Sequence, residues 1–241
     1  MKGEIYQSGY IDKVFKLVHL AEINFLVCQK IYKNYLKKKG RHENTFFVLT
    51  ANNAFNESLS VLQTLICSTE KNDLKIKPIL EKIIEDDKDS LVPVDPKIEY
   101  QFIGSIEKDY PHLGESTFYS YRRFLLKSGE PDNHLGTIME NIQRKKRVES
   151  GLVDFQELKV KFEKFRFHKI RHHQIGHKHQ DLKEPAGSAN LLLQDSYINN
   201  LEEIIKDLKI KTYFWFGFSF DNPNYPILDS LNEIIRNPKA R

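Results

Sequence analysis

The sequence predicts an all-α protein, a helical bundle of four to five long helices with a helical insertion between core helices two and three. Apolar residues recur at steps of three and four over several stretches longer than twenty residues, which is the period of an amphipathic helix. No stretch shows the strict alternation of apolar and polar residues that is typical of a strand. Between residues 72 and 150 the helical patterns become shorter and are separated by Pro111, Gly114, Gly129 and Pro131.

Composition is that of an ordinary soluble globular protein. The chain has 241 residues, of which 40% are hydrophobic and 29% charged, and its formal net charge is +4. We therefore predict one domain over residues 1–241, with 72–150 as an insertion. The opening residues lack the apolar run of a signal peptide and no segment has a membrane-spanning length, so the expected location is cytoplasmic. The two cysteines, Cys28 and Cys67, lie in apolar helical patterns and are predicted to be free thiols.

Two long helices open the chain. The first is predicted over Ile11–Leu36 and ends in the basic run Lys37–Arg41, which suits the negative end of a helix dipole. The second is predicted over Glu43–Ile66, and the short connection favours antiparallel packing of the two helices. Its predicted inward residues are Phe47, Ala51, Ala54, Phe55, Ser58, Leu62 and Leu65. It also carries a dense polar group, which is either a solvent-facing surface or a polar wall opposite the histidines described below; its members are Asn52, Asn53, Asn56, Glu57 and Ser58.

The middle of the chain is predicted to contain short helices. Pro78 suits the first turn of a helix through Ile84, and the two prolines of Leu91–Pro96 favour an extended link. Further helices are predicted over 97–109, 116–127 and 134–149. Two basic elements, Arg122–Arg123 and Arg144–Arg147, are interpreted either as exposed helix ends or as contacts to a phosphate backbone.

Two more long helices are predicted in the last third. One begins at Val153, with Asp154 near its positive end, and the other covers Asn190–Phe214. The aromatic run Tyr213–Phe218 is expected to close the core or a subunit interface, and a short helix is predicted near Ile227–Ile235.

Histidines are concentrated where the third long helix ends. Five of the nine histidines lie between His168 and His179, together with Arg166, Arg171 and several lysines. Imidazoles can transfer protons near neutral pH, and a guanidinium can hold a phosphate through two hydrogen bonds. The same histidines allow two other interpretations, a transition-metal site or an exposed helix end beside a loop.

The segment Arg171-His172-His173-Gln174-Ile175-Gly176-His177 resembles the HEPN superfamily signature, in which an arginine and a polar residue are followed, after four further residues, by a histidine. The form with five intervening residues is similar to the AbiU-like branch of abortive-infection proteins, although Gly176 stands where alanine is more usual. The resemblance implies a four- or five-helix core, a homodimer, and a metal-independent ribonuclease of a phage-defence, toxin–antitoxin or RNA-processing system. It requires no cofactor, and its implied partners are RNA and, in a toxin–antitoxin system, a cognate antitoxin protein.

The resemblance also assigns roles. Arg171 and His177 become the catalytic pair and His172 an auxiliary catalytic residue, while His173 and Lys178 contact the substrate. Asn53 and Glu57 are expected to support substrate binding with a hydrogen bond. Because some members of the superfamily are inactive, the alternative is a helical module that binds RNA or protein without cleaving it.

Overall fold

The computed structural model describes residues 2–37, 45–70, 73–109, 135–165, 194–217, 230–231 and 235. Within these ranges the regular structure is entirely helical, which confirms the predicted all-α class. Its α-helices are α1 (Lys2–Ile31), α2 (Thr45–Cys67), α3 (Ile76–Asp87), α4 (Pro96–Asp109), α5 (Leu135–Lys164) and α6 (Asp195–Phe216). A π-helical turn, Tyr32–Leu36, extends α1, and a 3₁₀ turn, Lys88–Ser90, follows α3.

The chain divides into two compact units. Unit 1 contains residues 1–7, 76–158 and 206–223, and unit 2 contains residues 8–75, 159–205 and 224–241. Residues 76–150 of the predicted insertion therefore belong to unit 1, where they supply α3, α4 and the first half of α5.

In unit 2, α1 and α2 form the antiparallel pair that the sequence predicts. The Ser58 hydroxyl donates a hydrogen bond of 2.9 Å to the carbonyl of Ala21. Further along the pair, the rings of Tyr35 and Phe47 lie 4.2 Å apart, so residue numbers rise on one helix as they fall on the other. The predicted inward residues of α2 are all buried; they are Phe47, Ala51, Ala54, Phe55, Ser58, Leu62 and Leu65.

Polar contacts join α1 to the first half of α6. Gln29 donates a hydrogen bond of 2.8 Å to Glu202, and the Lys37 ammonium lies 2.8 Å from a carboxylate oxygen of Asp195. The order of these contacts shows that the two helices are antiparallel. The end of α1 is thereby held against the beginning of α6.

In unit 1 the aromatic end of α6 closes a core, as the aromatic run predicts. Phe102 of α4 meets the rings of Tyr213 and Phe214 at 6.3 and 6.4 Å, and Ile142 of α5 completes the buried cluster. Partly buried apolar residues surround it: Val94, Ile98, Ile103, Ile138, Met139 and Ile210. A glycine at positive φ, Gly217, follows the helix, as is common after a helix C-terminus.

Helix α5 differs from the prediction. The sequence analysis ended one helix at Glu149 and began another at Val153, but the chain is helical without interruption from Leu135 to Lys164. Gly151 is a point of close packing rather than a break, because a Cβ built there lies 3.3 Å from Ile84 and 3.6 Å from Trp215. Asp154 consequently lies inside the helix, where it accepts a hydrogen bond of 2.8 Å from Ser150.

The other helix boundaries agree more closely. Residues 91–95 form no regular structure between α3 and α4, as predicted for the proline-containing link. Helix α1 begins earlier than predicted, at Lys2, and α6 begins later, at Asp195. The helix predicted over 116–127 and most of that near 227–235 lie outside the described residues.

Candidate functional site

The predicted catalytic residues Arg171, His172 and His177 lie outside the described residues, as do His173 and Lys178. The structure does describe the two helix ends that flank them, the C-terminus of α5 and the N-terminus of α6. Both ends belong to unit 2. The contacts of these ends therefore define the frame to which the signature segment is covalently attached.

The end of α5 is fixed against α6. The Lys161 ammonium lies 2.8 Å from a carboxylate oxygen of Glu203, and Phe162 beside it is fully buried. The amide of Phe165 still donates a helical hydrogen bond to the carbonyl of Lys161, at 3.3 Å. The last described residue before the signature is therefore part of a packed helix end.

The start of α6 is fixed against the end of α1. Lys37 donates hydrogen bonds of 3.0 and 2.8 Å to the two carboxylate oxygens of Asp195. These bonds and a further one from Tyr32 hold the pKa of Asp195 below its usual range. Asp195 also lies in the first turn of α6, where the helix dipole favours an anion.

The signature begins at Arg171, six positions after Phe165 along the chain. Lys33 and Lys37 are the described cations near the other end of the frame, and both are already paired with acids, Glu202 and Asp195.

Asn53 and Glu57 are the predicted site residues that the structure describes. Both are exposed and lie one turn apart on the outer side of α2. The remaining predicted site residues lie outside the described part of the chain. The same helix carries three amide oxygens that are buried without a hydrogen-bond partner among the described residues, those of Asn52, Asn56 and Gln63.

The sequence analysis noticed the polar group on α2 but missed Gln63. Asn56 and Gln63 are separated by seven residues, and Asn52 lies one turn before Asn56, so the three share one side of the helix. The spacing of the asparagine and glutamine residues alone would have placed these three on one side of the helix. Ser58, which the sequence places both in this polar group and among the inward residues, is buried against α1.

The basic run Arg144–Arg147 is not an exposed helix end, which corrects that interpretation of the sequence. It lies in the interior of α5, and each cation has an acidic partner in unit 1. Arg144 and Arg147 both approach Asp87, at 3.2 and 2.7 Å, and Lys145 lies 2.6 Å from Glu99. The run is therefore neutralised within the fold.

Arg147 is the most deeply placed member of this run. It donates a hydrogen bond of 2.5 Å to the carbonyl of Trp215, and burial lowers the pKa of its guanidinium while Asp87 opposes that effect. Its Nε approaches Asp87 without hydrogen-bond alignment, so that contact is mainly electrostatic. These contacts tie α3, α5 and α6 together in unit 1.

Comparison of the chain with family models, curated proteins and solved structures found no match. Among the described residues, no group of three or more histidine, cysteine, aspartate or glutamate side chains could hold a metal ion. None of the described helices has the length and apolar character needed to cross a membrane. The family resemblance therefore rests on the Arg171–His177 signature.

Proposed function

We propose that this protein is a metal-independent, HEPN-like endoribonuclease that acts in phage defence or in a toxin–antitoxin system. The observation that carries the proposal is the Arg171–His177 signature, which begins within seven residues of the packed end of α5. The all-helical fold of the described residues is compatible with it. Cytoplasmic RNA is the substrate under this proposal, and a cognate antitoxin protein is the expected partner in the toxin–antitoxin case.

The proposed reaction uses only groups of the chain and of RNA. His177 accepts the proton of the ribose 2′-hydroxyl, and the 2′-oxygen then forms a bond to the adjacent phosphorus. The bond between phosphorus and the 5′-oxygen then breaks, and the 5′-oxygen takes the proton that His177 carries, leaving a cyclic phosphate and a 5′-hydroxyl. Arg171 stabilises the charge on the non-bridging oxygens, and His172 orients the phosphate.

Helix geometry favours a site shared by two copies of the chain. Residues six apart point about 120° away from each other on a continuous helix, so Arg171 and His177 of one copy diverge there. A two-fold axis beside the signature would instead bring Arg171 of one copy to His177 of the other. The proposed enzyme is accordingly a homodimer with a composite site.

The test is cleavage of total RNA by purified protein in EDTA, with Arg171→Ala and His177→Ala as the inactivating variants. We expect each to lose activity by about 10²-fold or more, because each removes a group that acts in the transition state. His168→Ala is the matched control, since it removes a histidine of the same run outside the signature. Circular dichroism should show unchanged helicity in all three variants.

The other outcomes identify the alternatives. RNA binding without cleavage by the wild-type protein, measured by fluorescence anisotropy, would identify an inactive binding module. Loss of cleavage in EDTA and its return with added zinc would identify a metal-dependent hydrolase. Equal cleavage by wild type and His177→Ala would contradict the proposed catalytic role of His177.

A further inference from the structure

The connection between α3 and α4 carries apolar side chains that the fold leaves exposed. It lies in unit 1 and has the sequence Leu91-Val92-Pro93-Val94-Asp95-Pro96; we name it the 91–96 link. The exposed fractions of Leu91 and Val92 are 42% and 50%, and Pro93 is exposed as well. A run of three exposed apolar residues is unusual on a protein surface unless it serves a function.

The 91–96 link favours the polyproline II conformation. Leu91 has φ −70° and ψ 129°, close to the values of about −75° and +145° of this helix. The rings of Pro93 and Pro96 fix φ at nearly the same angle. Each proline also disfavours the α-helical conformation at the residue before it, which is Val92 or Asp95. Much of the link is therefore restricted in conformation before any partner binds.

Both ends of the 91–96 link are held by the fold. Arg144 donates a hydrogen bond of 3.3 Å to the carbonyl of Ser90, directly before the link. At the other end, a carboxylate oxygen of Asp95 accepts a hydrogen bond of 2.8 Å from the amide of Lys97 and so caps α4. Between these ends, Val94 is partly buried against the aromatic core of unit 1. Because the link is already ordered, a partner that binds it loses less conformational entropy.

Side-chain exposure in the link follows the period of a polyproline II helix. That helix has three residues per turn, so residues three apart lie along the same edge. From Val92 to Pro96, Val94 alone is half-buried, whereas Val92 and Asp95 on one edge and Pro93 and Pro96 on the next are exposed. Two neighbouring edges of the helix are thus accessible to a partner.

We infer that the 91–96 link is a recognition segment for a partner protein with an aromatic-lined groove that binds proline-rich chains. Such grooves bind polyproline II segments of the pattern Pro-x-x-Pro, and Pro93 and Pro96 have this spacing. The inference stands apart from the proposed reaction, which uses no residue of the link.

The backbone of the link supports this kind of partner. Neither Val92 nor Val94 makes a backbone hydrogen bond with another described residue, so their carbonyls can accept hydrogen bonds from a groove. Pairing with the edge of a partner's β-sheet is less favourable, because Pro93 and Pro96 have no amide hydrogen to donate.

The test measures binding of the purified full chain to a panel of purified SH3 and WW domains, which carry grooves of this kind. We expect at least one domain to bind the wild type. Pro93→Ala and Val92→Asp should each weaken that binding by about tenfold or more, because each alters an exposed edge in the middle of the recognised segment. Isothermal titration calorimetry measures the dissociation constants.

Pro78→Ala is the matched control, because Pro78 is an exposed proline in the first turn of α3 and lies outside the link. It should bind with the affinity of the wild type. Circular dichroism should show the same helicity in all three variants, since each substituted side chain is exposed.

Three results would overturn the inference. The first is a wild type that binds no domain of the panel. The second is binding that both Pro93→Ala and Val92→Asp leave unchanged. The third is equal weakening by Pro93→Ala and Pro78→Ala, because binding would then not depend on the link.

Discussion

Two polar regions of this protein contrast in how completely their side chains are paired. In unit 1, the basic run of α5 is matched cation by cation, with Arg147 held by Asp87 and by the carbonyl of Trp215. In unit 2, the amide oxygens of Asn52, Asn56 and Gln63 lie buried on α2 without hydrogen-bond partners among the described residues. The sequence alone suggests a different conclusion, because four successive cations look more like a functional surface than scattered amides do.

The contrast shows how polar residues divide between folding and function. A buried charge with an oppositely charged partner holds helices in register, and its charge is unavailable to a ligand. A buried polar group without a partner reduces stability. On this basis the Arg144–Arg147 run belongs to the fold, and the three amides of α2 are expected to reduce its stability.

The largest expected effect comes from removing Arg147. Arg147→Met removes one of the positive charges beside Asp87 and the hydrogen-bond donor to the Trp215 carbonyl. Removing one partner of a buried ion pair reduces the free energy of unfolding by about 3–5 kcal/mol. Urea unfolding followed by circular dichroism measures this loss. Lys77→Met is the matched control, because the Lys77–Glu81 pair is exposed and such pairs contribute only about 0–1 kcal/mol. Similar losses in both variants would contradict the assignment of Arg147 to the packed network.

A smaller effect is expected at Tyr213, which is buried in the same unit. Burial raises the pKa of Tyr213 to about 12 from its usual value of 10.0, and a hydrogen bond with Gln143 opposes the shift. The unfolded chain then loses the Tyr213 proton at lower pH than the folded protein does. The stabilisation is therefore complete below about pH 10 and is lost as the pH rises toward 12, by up to about 2–3 kcal/mol.

The Tyr213→Phe variant isolates this contribution. Its free energy of unfolding should decline less steeply than that of the wild type between pH 10 and 12, because the titrating phenol is absent. Parallel urea titrations across this interval measure the difference between the two slopes. Identical slopes would show that the phenol of Tyr213 titrates normally in the folded protein.

The smallest change in the free energy of unfolding, and the only expected gain, comes from a substitution on α2. Asn52→Leu replaces a buried amide whose oxygen has no partner among the described residues with an apolar side chain of similar size. Relief of that desolvation cost should leave the free energy of unfolding unchanged or raise it by about 1 kcal/mol. A loss comparable to that of Arg147→Met would mean that Asn52 is paired after all and would remove the contrast between the two regions.

The helices and their buried sides were largely predictable from the sequence. The stripe of α2 from Phe47 to Leu65 and the aromatic end of α6 both identify core residues that the structure buries. The prediction succeeds because a helix repeats every 3.6 residues, so the spacing of apolar residues along the chain identifies the side that faces the core. The AbiU-like signature is likewise a local pattern, and its proposed roles remain predictions.

Predictions that depended on distant residues were less successful. The sequence patterns predicted one helix ending at Glu149 and another beginning at Val153, yet α5 continues through Gly151, where Leu80, Ile84 and Trp215 pack closely. The Arg144–Arg147 run suggests a ligand-binding surface until Asp87 and Glu99 are placed beside it. In both cases the deciding atoms come from another helix.

By itself, then, the sequence determined the all-helical class, the antiparallel α1–α2 pair and the positions of most buried apolar residues, because each follows from periodicity and short connections. Only the tertiary structure decided which charges are neutralised, which glycine is a packing contact and which amide oxygens of α2 have no hydrogen-bond partner among the described residues. Those properties depend on contacts between residues far apart in the chain, and the spacing of neighbouring residues does not predict such contacts.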